Sequence, residues 1–266
     1  MISLYNLLLE AINEPKAIIL AGAPGAGKSS ILKDLDLSKF TTLNIDDTIA
    51  SLSKKQGFTL NQKAANAEDR SKFMKAMRDA SSELTKDQIP KLIQNKVSFI
   101  LDGTAASTKN TLELKNNLEK EGYKVFMLYV YTDLENSLNR NNKRFEKSGG
   151  TDRSLIPSSI LGTWKSVTQN FPIYQKEFSP NFISVSNTGK DESLKDIEKI
   201  IDKYVTPYNP KDPKPKTEKE QEQSKKQKDK LNKELQLLLN SSEISNIINN
   251  SVSKEEAQTK INQFIK

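Results

Sequence analysis

Five short apolar runs punctuate a largely polar chain: Ile18, Ile19, Leu20 and Ala21 first, then residues 41–45 (TTLNI), 97–101 (VSFIL), 125–130 (VFMLYV) and 182–185 (FISV). Runs of four to six residues without strict alternation predict strands buried on both faces. Helical patterns fill the gaps. They cover residues 29–37, 65–84 with Phe73, Met74, Met77 and Ala80 on one face, a short turn around Leu92 and Ile93 after Pro90, and 111–121 stopped by Gly122. Further helices are predicted over 133–147, from Pro157 onward around Trp164, and over 192–204 with Leu194, Ile197, Ile200 and Ile201 turned inward. Strands alternating with helices predict an α/β fold: a parallel five-stranded sheet covered by helices on both faces.

The two ends differ from this middle. Leu4, Leu7, Leu8, Ala11 and Ile12 repeat at helical spacing after Ser3, predicting an amphipathic helix within residues 1–14 that packs on the sheet edge or serves as a docking segment. Residues 206–216 carry four prolines and read as an extended linker, and residues 217–230 contain no apolar side chain. A solvated helix and an unfolded stretch both fit that composition. Residues 231–266 regain a pattern, with Leu235, Leu238 and Leu239 on one face, Ile244, Ile247 and Ile248 on another, and a Ser253–Glu256 capping box before Ala257, Ile261, Phe264 and Ile265. The expected organisation is a main domain over 1–205, a Pro- and charge-rich linker over 206–230, and a small helical C-terminal module over 231–266. That module folds back on the core, pairs with a second copy or binds a protein partner.

The first apolar run leads into the most informative stretch. Gly22, Ala23, Pro24, Gly25, Ala26, Gly27, Lys28 and Ser29 satisfy G-x-x-x-x-G-K-[ST] at every fixed position, between a strand and a helix start. Such a turn aims several backbone N–H groups at one point, and its glycines let phosphate oxygens approach. The helix that follows, beginning at Ser29 with Ser30 in its first turn, adds unpaired N–H groups and its positive dipole end. Lys28 is placed to reach the β- and γ-phosphates and Ser29 to ligate Mg²⁺. ATP with Mg²⁺ is therefore the expected cofactor, and the fold class narrows to a P-loop NTPase of nucleotide-kinase type.

Composition limits the remaining chemistry. The 266 residues contain no cysteine and no histidine, which excludes disulfides, a thiol nucleophile, an imidazole base and the usual transition-metal sites. Acid–base work falls to Asp, Glu, Lys or Tyr, and a metal to oxygen ligands. No apolar run reaches the roughly 18 residues of a membrane span, and the first residues lack a signal-peptide pattern. The expectation is a soluble cytoplasmic protein with no membrane partner, in the host cytoplasm if phage-encoded. A net charge of +7 suits an anionic substrate without singling out nucleic acid.

Three features choose among P-loop chemistries. No Asn-Lys-x-Asp element marks a GTPase, and Asp102 is followed by Gly103 and Thr104 rather than the second acidic residue of a motor ATPase. Asp46, Asp47 and Asp102 fall at strand ends beside the glycine turn, where ligands of parallel sheets bind. After the fourth strand, Arg140, Asn141, Asn142, Lys143 and Arg144 place two arginines at i and i+4, ahead of a glycine-bearing loop and Arg153. Cations around a moving phosphoryl group and a loop that closes over it are what phosphoryl transfer needs.

The glycine turn, the stretch Asn44, Ile45, Asp46, Asp47, and the segment from Arg140 to Val167 with Ile156, Pro157, Ile160, Leu161, Trp164, Lys165 and Ser166 together resemble the kinase domain of bacteriophage-type polynucleotide 5′-kinases over about residues 16–185. That resemblance implies Asp46 as general base on the acceptor hydroxyl, Asp102 at the acceptor site and Arg144 on the β- and γ-phosphates; Thr104 and Arg153 are further candidates for the acceptor site, and Arg140 for the catalytic cations. It breaks at Ile49, where that family has an arginine for the acceptor phosphate. The pair Asp47-Thr48 is similar to the zeta-toxin kinases, which act on a nucleotide sugar, and there Asp47 is the base. Three readings stay open: transfer of the γ-phosphate to a polynucleotide 5′ end or nucleotide-like hydroxyl, a zeta-toxin-like nucleotide or nucleotide-sugar kinase, and a phage assembly or virion-associated ATP-binding protein.

Overall fold

The computed structural model describes residues 14–35, 37, 40–150, 152–188, 193–208 and 217–265. The amphipathic helix expected within residues 1–14 lies outside them, as do residues 209–216 of the expected linker. The element order is β1 (Lys16–Ala21), α1 (Lys28–Asp34), β2 (Thr41–Asn44), α2 (Ile45–Gln56), α3 (Ala67–Glu83), α4 (Ile89–Gln94), β3 (Phe99–Asp102), α5 (Thr108–Lys120), β4 (Lys124–Tyr131), α6 (Leu134–Lys147), α7 (Pro157–Phe178), β5 (Phe182–Ser186), α8 (Ile197–Ile200), α9 (Glu218–Leu239), α10 (Ser242–Asn249), β6 (Ser251–Val252) and α11 (Lys254–Ile265).

The strands form one parallel sheet in the order β2-β3-β1-β4-β5-β6. β1 sits at its centre, and the period of two along the strand sends its residues to two cores. Ala17, Ile19 and Ala21 join Met127, Tyr129, Trp164 and Phe171 on one face. Ile18 and Leu20 join Ile31, Phe126, Leu128, Val130, Ile183 and Val185 on the other. Burial on both sides is why these strands read as continuous apolar runs.

The sheet has six strands where the sequence predicts five. The sixth is the dipeptide Ser251–Val252, paired parallel to Ser184 and Val185. It carries no apolar run and is held by neighbours: Ser184 Oγ donates to the Asn250 carbonyl at 3.0 Å, and Ser251 Oγ to Ser184 Oγ at 3.2 Å. The tail that supplies it packs on the sheet layers. Leu235, Leu238, Leu239 and Ile247 belong to the first core, Ala257 and Ile261 to the second, and Phe264 lies 4.9 Å from Phe126 between ring centroids. Residues 217–230, for which two states were open, are helix, opened by a reciprocal capping box between Thr217 and Glu220.

A third core lies beyond the ends of β2 and β3, where α2 and α3 form a hairpin around Ile49, Phe58, Leu60, Phe73, Ala76 and Ala80. α2 is not among the helices expected above, because eight of its twelve residues are polar. Ile45, Ile49 and Leu52 nevertheless keep helical spacing, Asn44 caps its start by accepting from the Asp46 N–H at 2.8 Å, and Gly57 ends it at φ +66°. Met74, expected on the buried face of α3, is 51% exposed, since Phe73, Ala76 and Ala80 define that face. Ile248 is exposed in the same way. The helix expected over 192–204 begins at Ile197 and runs into a π-turn over Ile201–Val205.

Candidate functional site

The glycine turn joins β1 to α1. Gly25 (φ +78°) and Gly27 (φ +88°) adopt left-handed backbone, and a Cβ there would meet the Ser137 carbonyl at 2.7 Å and Asn187 Nδ2 at 2.2 Å. Three groups pull the carbonyls of the turn outward: Ser137 Oγ donates to Pro24 O at 2.6 Å, Arg140 Nη1 to Gly25 O at 3.1 Å and Asn187 Nδ2 to Ala26 O at 2.8 Å. A planar trans peptide sets its N–H opposite its carbonyl, so these contacts turn the N–H groups of Gly25 and Gly27 toward the cavity, an anion-binding nest. The Gly22 N–H donates to the Thr104 carbonyl at 3.1 Å, which ties the turn to the end of β3.

Lys28 Nζ donates to the carbonyls of Gly22 at 2.9 Å and Ala23 at 3.3 Å. Burial pulls its pKa down to about 8, against the raising effect of Asp102. Asp102, at the end of β3, accepts from Asn44 Nδ2 at 3.1 Å, and burial raises its carboxyl pKa. Ser29 lies in the first turn of α1 on the cavity wall, and Ser30 follows it.

Asp46, in the first turn of α2, is ringed by cations. Arg153 Nε stands 2.9 Å from Oδ1 and Arg144 Nη2 3.4 Å from Oδ2. The Arg153 contact is charge against charge without hydrogen-bond alignment, because neither Arg153 Nε nor Asp46 Oδ1 has a hydrogen-bond partner. Arg144 Nε also engages Asp152 in the loop after α6. The loop is held in turn by a short bridge from Asn61 to Ser154, with Gln62 N–H to Ser154 O at 3.0 Å and Ser154 N–H to Leu60 O at 3.1 Å.

The structure thus brings Lys28, Ser29, Ser30, Asp46, Asp102, Thr104, Arg140, Arg144 and Arg153 to the wall of one cavity of about 960 Å³. Asp47 is not on that wall and is exposed; a helix turns about 100° per residue, so neighbours face different ways. Arg140 and Arg144 share a helix face but diverge. Arg140 braces the glycine turn and donates through Nη2 to the Asn187 carbonyl at 3.0 Å, whereas Arg144 faces Asp46. Asn187, Ser137 and Arg70, which also shape the site, escape the sequence reading, since single polar residues after a strand or on a helix carry no motif.

A nucleoside triphosphate fits these residues: an inward-turned nest, a lysine and a set of arginines. Among the described residues no three His, Cys, Asp or Glu side chains cluster to hold a metal. Mg²⁺ in P-loop sites needs no such cage, because one or two protein oxygens join phosphate oxygens and water around it. Ser29 with Asp102 is that kind of donor set. A second groove, of about 1070 Å³ between Leu194–Ile201 and Asn232–Asn240, has neither a glycine turn nor converging arginines. Among the described residues no helix is long and apolar enough to cross a membrane.

Sheet order, glycine turn and arginine-bearing loop define a P-loop kinase domain. The model of one such family, the zeta toxin family, matches residues 6–199, and the chain belongs to that family. No curated protein matches the sequence. Among solved structures, the AvrRxo1-ORF1:ORF2 complex aligns at 15% identity over 72% of this chain and 65% of that chain, with a TM-score of 0.51. The same pair with ATP aligns at 15% identity over 97% and 82%, with a TM-score of 0.50. The PezAT chromosomal toxin–antitoxin system of Streptococcus pneumoniae aligns at 14% identity over 89% and 95%, with a TM-score of 0.46. At these identities the likeness is one of fold.

Proposed function

We propose that the chain is an ATP- and Mg²⁺-dependent phosphotransferase that moves the γ-phosphoryl group to a hydroxyl of a nucleotide-like small molecule. The observation that carries this is the placement of Asp46 among Arg144 and Arg153 on the wall that also holds Lys28 and the glycine nest. In this reading the nest and Lys28 hold the triphosphate, and Ser29 with Asp102 would hold Mg²⁺, which would supply charge neutralisation on the phosphates. Arg144 and Arg153 exchange Asp46 for phosphate oxygens when ATP enters, which frees the carboxylate. Asp46 then orients the acceptor hydroxyl. As the bond from its oxygen to the γ-phosphorus forms and the bond to the β-bridging oxygen breaks, Asp46 takes the hydroxyl proton. ADP and a phosphorylated acceptor leave. A loose transition state asks little basicity of the carboxylate, so an ordinary Asp serves.

The match to the zeta toxin family favours a nucleotide-like acceptor over a polynucleotide end. Ile49 is wholly buried in the α2–α3 core and does not line the cavity, so α2 offers no counterpart of the arginine that the polynucleotide kinases carry there. The tail argues against an assembly role built on a detached docking arm, since its helices complete both cores.

The test is incubation with γ-labelled ATP, Mg²⁺ and a mixture of nucleotides, UDP-sugars and 5′-hydroxyl oligonucleotides. Label is expected on a nucleotide or nucleotide sugar. Label on oligonucleotide ends would overturn the acceptor assignment, and ATP binding with no labelled product would overturn the kinase reading.

A further inference from the structure

The cavity wall that holds the glycine turn also takes in residues of α3. Arg70, in the first turn of α3, lies on that wall beside Gln62, Phe73, Met74 and Met77. Its Nη2 donates to the Ala65 carbonyl, which fixes the guanidinium, while its Nε is buried without a hydrogen-bond partner. Among the described residues no carboxylate stands within ion-pair distance of it, whereas Arg144 has two and Arg153 one. Arg70 is only partly buried and lines the cavity, so the open edge of its guanidinium is available to an anion that enters there.

The charge of the whole cavity points the same way. Seven basic side chains line it against three acidic ones, Asp46, Asp102 and Asp152. ATP complexed with Mg²⁺ leaves part of that surplus unmatched, so a second anion is electrostatically favoured. Met74 and Met77 provide a polarizable apolar shelf beside the guanidinium, of the kind that accepts the face of a ring.

We infer that Arg70 is the specificity-determining residue of the acceptor half of the site, its guanidinium holding a phosphate group that the hydroxyl acceptor already carries. This rests on the kinase reading above. Arg70 does from α3 what Ile49, buried on α2, cannot do. Its planar fork suits two phosphate oxygens at once. A neutral hydroxyl compound lacks that contact and binds weakly.

The experiment is calorimetric titration of the full chain, saturated with a non-hydrolysable ATP analogue and Mg²⁺, with uridine monophosphate and separately with uridine. The nucleotide is expected to bind at least tenfold more tightly than the nucleoside. Arg70→Gln should erase that difference while affinity for the ATP analogue stays within twofold, and Arg70→Lys should restore part of it. Equal binding of the two probes by the native chain, or an undiminished preference in Arg70→Gln, overturns the assignment. If the ATP analogue itself fails to bind, the kinase reading falls. The same comparison on the ligand-free chain then still decides the role of Arg70.

Discussion

Nucleotide binding is predicted to take up a proton at alkaline pH, because Lys28 enters the reaction partly neutral. Burial holds its pKa near 8 in the free protein, so at pH 8.5 the ammonium is populated only about a quarter of the time. Phosphate oxygens placed against Nζ favour the charged form and return the pKa toward its ordinary value of about 10.4, which gives uptake of roughly 0.7 proton per nucleotide at pH 8.5 and little at pH 7. The phosphates titrate near pH 6 and contribute little at the higher pH. The assay is calorimetry of ATP binding in two buffers of different ionisation enthalpy. Apparent enthalpies should diverge at pH 8.5, in the sense of proton uptake, and coincide at pH 7, where lysine uptake and phosphate release are both small; coincidence at both would refute the desolvated lysine. The same shift has a sign for stability. Below pH 8 both native and unfolded Lys28 are protonated, and the native state bears the cost of burial. Between about 8 and 10.4 the unfolded chain holds the extra proton, so native stability rises with pH through that window. A Lys28→Met variant should lack this increment when denaturant midpoints are compared across the same pH range.

Two further outcomes separate roles within the fold. Arg140→Ala removes the brace on the Gly25 carbonyl; for this partly buried guanidinium, ATP affinity should fall about tenfold, or about 1.4 kcal/mol, with turnover at saturating ATP little changed. A loss confined to turnover in steady-state kinetics would place Arg140 on the moving phosphoryl group instead. Ile261→Ala, at a fully buried tail position, should cost roughly 2–5 kcal/mol in denaturant unfolding, whereas a tail independent of the sheet would leave the main transition unmoved.

What could be read from the sequence follows from how local each signal is. The five main strands and the glycine turn are legible because burial on both faces and phosphate cradling each leave a contiguous mark. β6 is invisible because two residues carry no pattern, and their pairing depends on Ser184 from a distant strand. The arginines show the limit of periodicity. Spacing puts Arg140 and Arg144 on one helix face, but the rotamers that send one to Gly25 and the other to Asp46 depend on β5 and α2. Which of Asp46 and Asp47 faces the cavity depends on α2, which its largely polar sequence hides. Arg70 has no local signature, and only the cavity it lines and its lack of a carboxylate partner among the described residues mark it.

The central claim is that Asp46, set among Arg144 and Arg153, is the base of phosphoryl transfer. Its most direct test is the single-turnover rate of transfer from γ-labelled ATP in Asp46→Asn and Asp47→Asn, each first shown to bind ATP as the native chain does. Asp46→Asn should slow transfer by about 10²–10⁴-fold, the usual worth of a positioned general base, while Asp47→Asn stays within a few fold. Unimpaired transfer by Asp46→Asn, or a collapse confined to Asp47→Asn, would contradict the account.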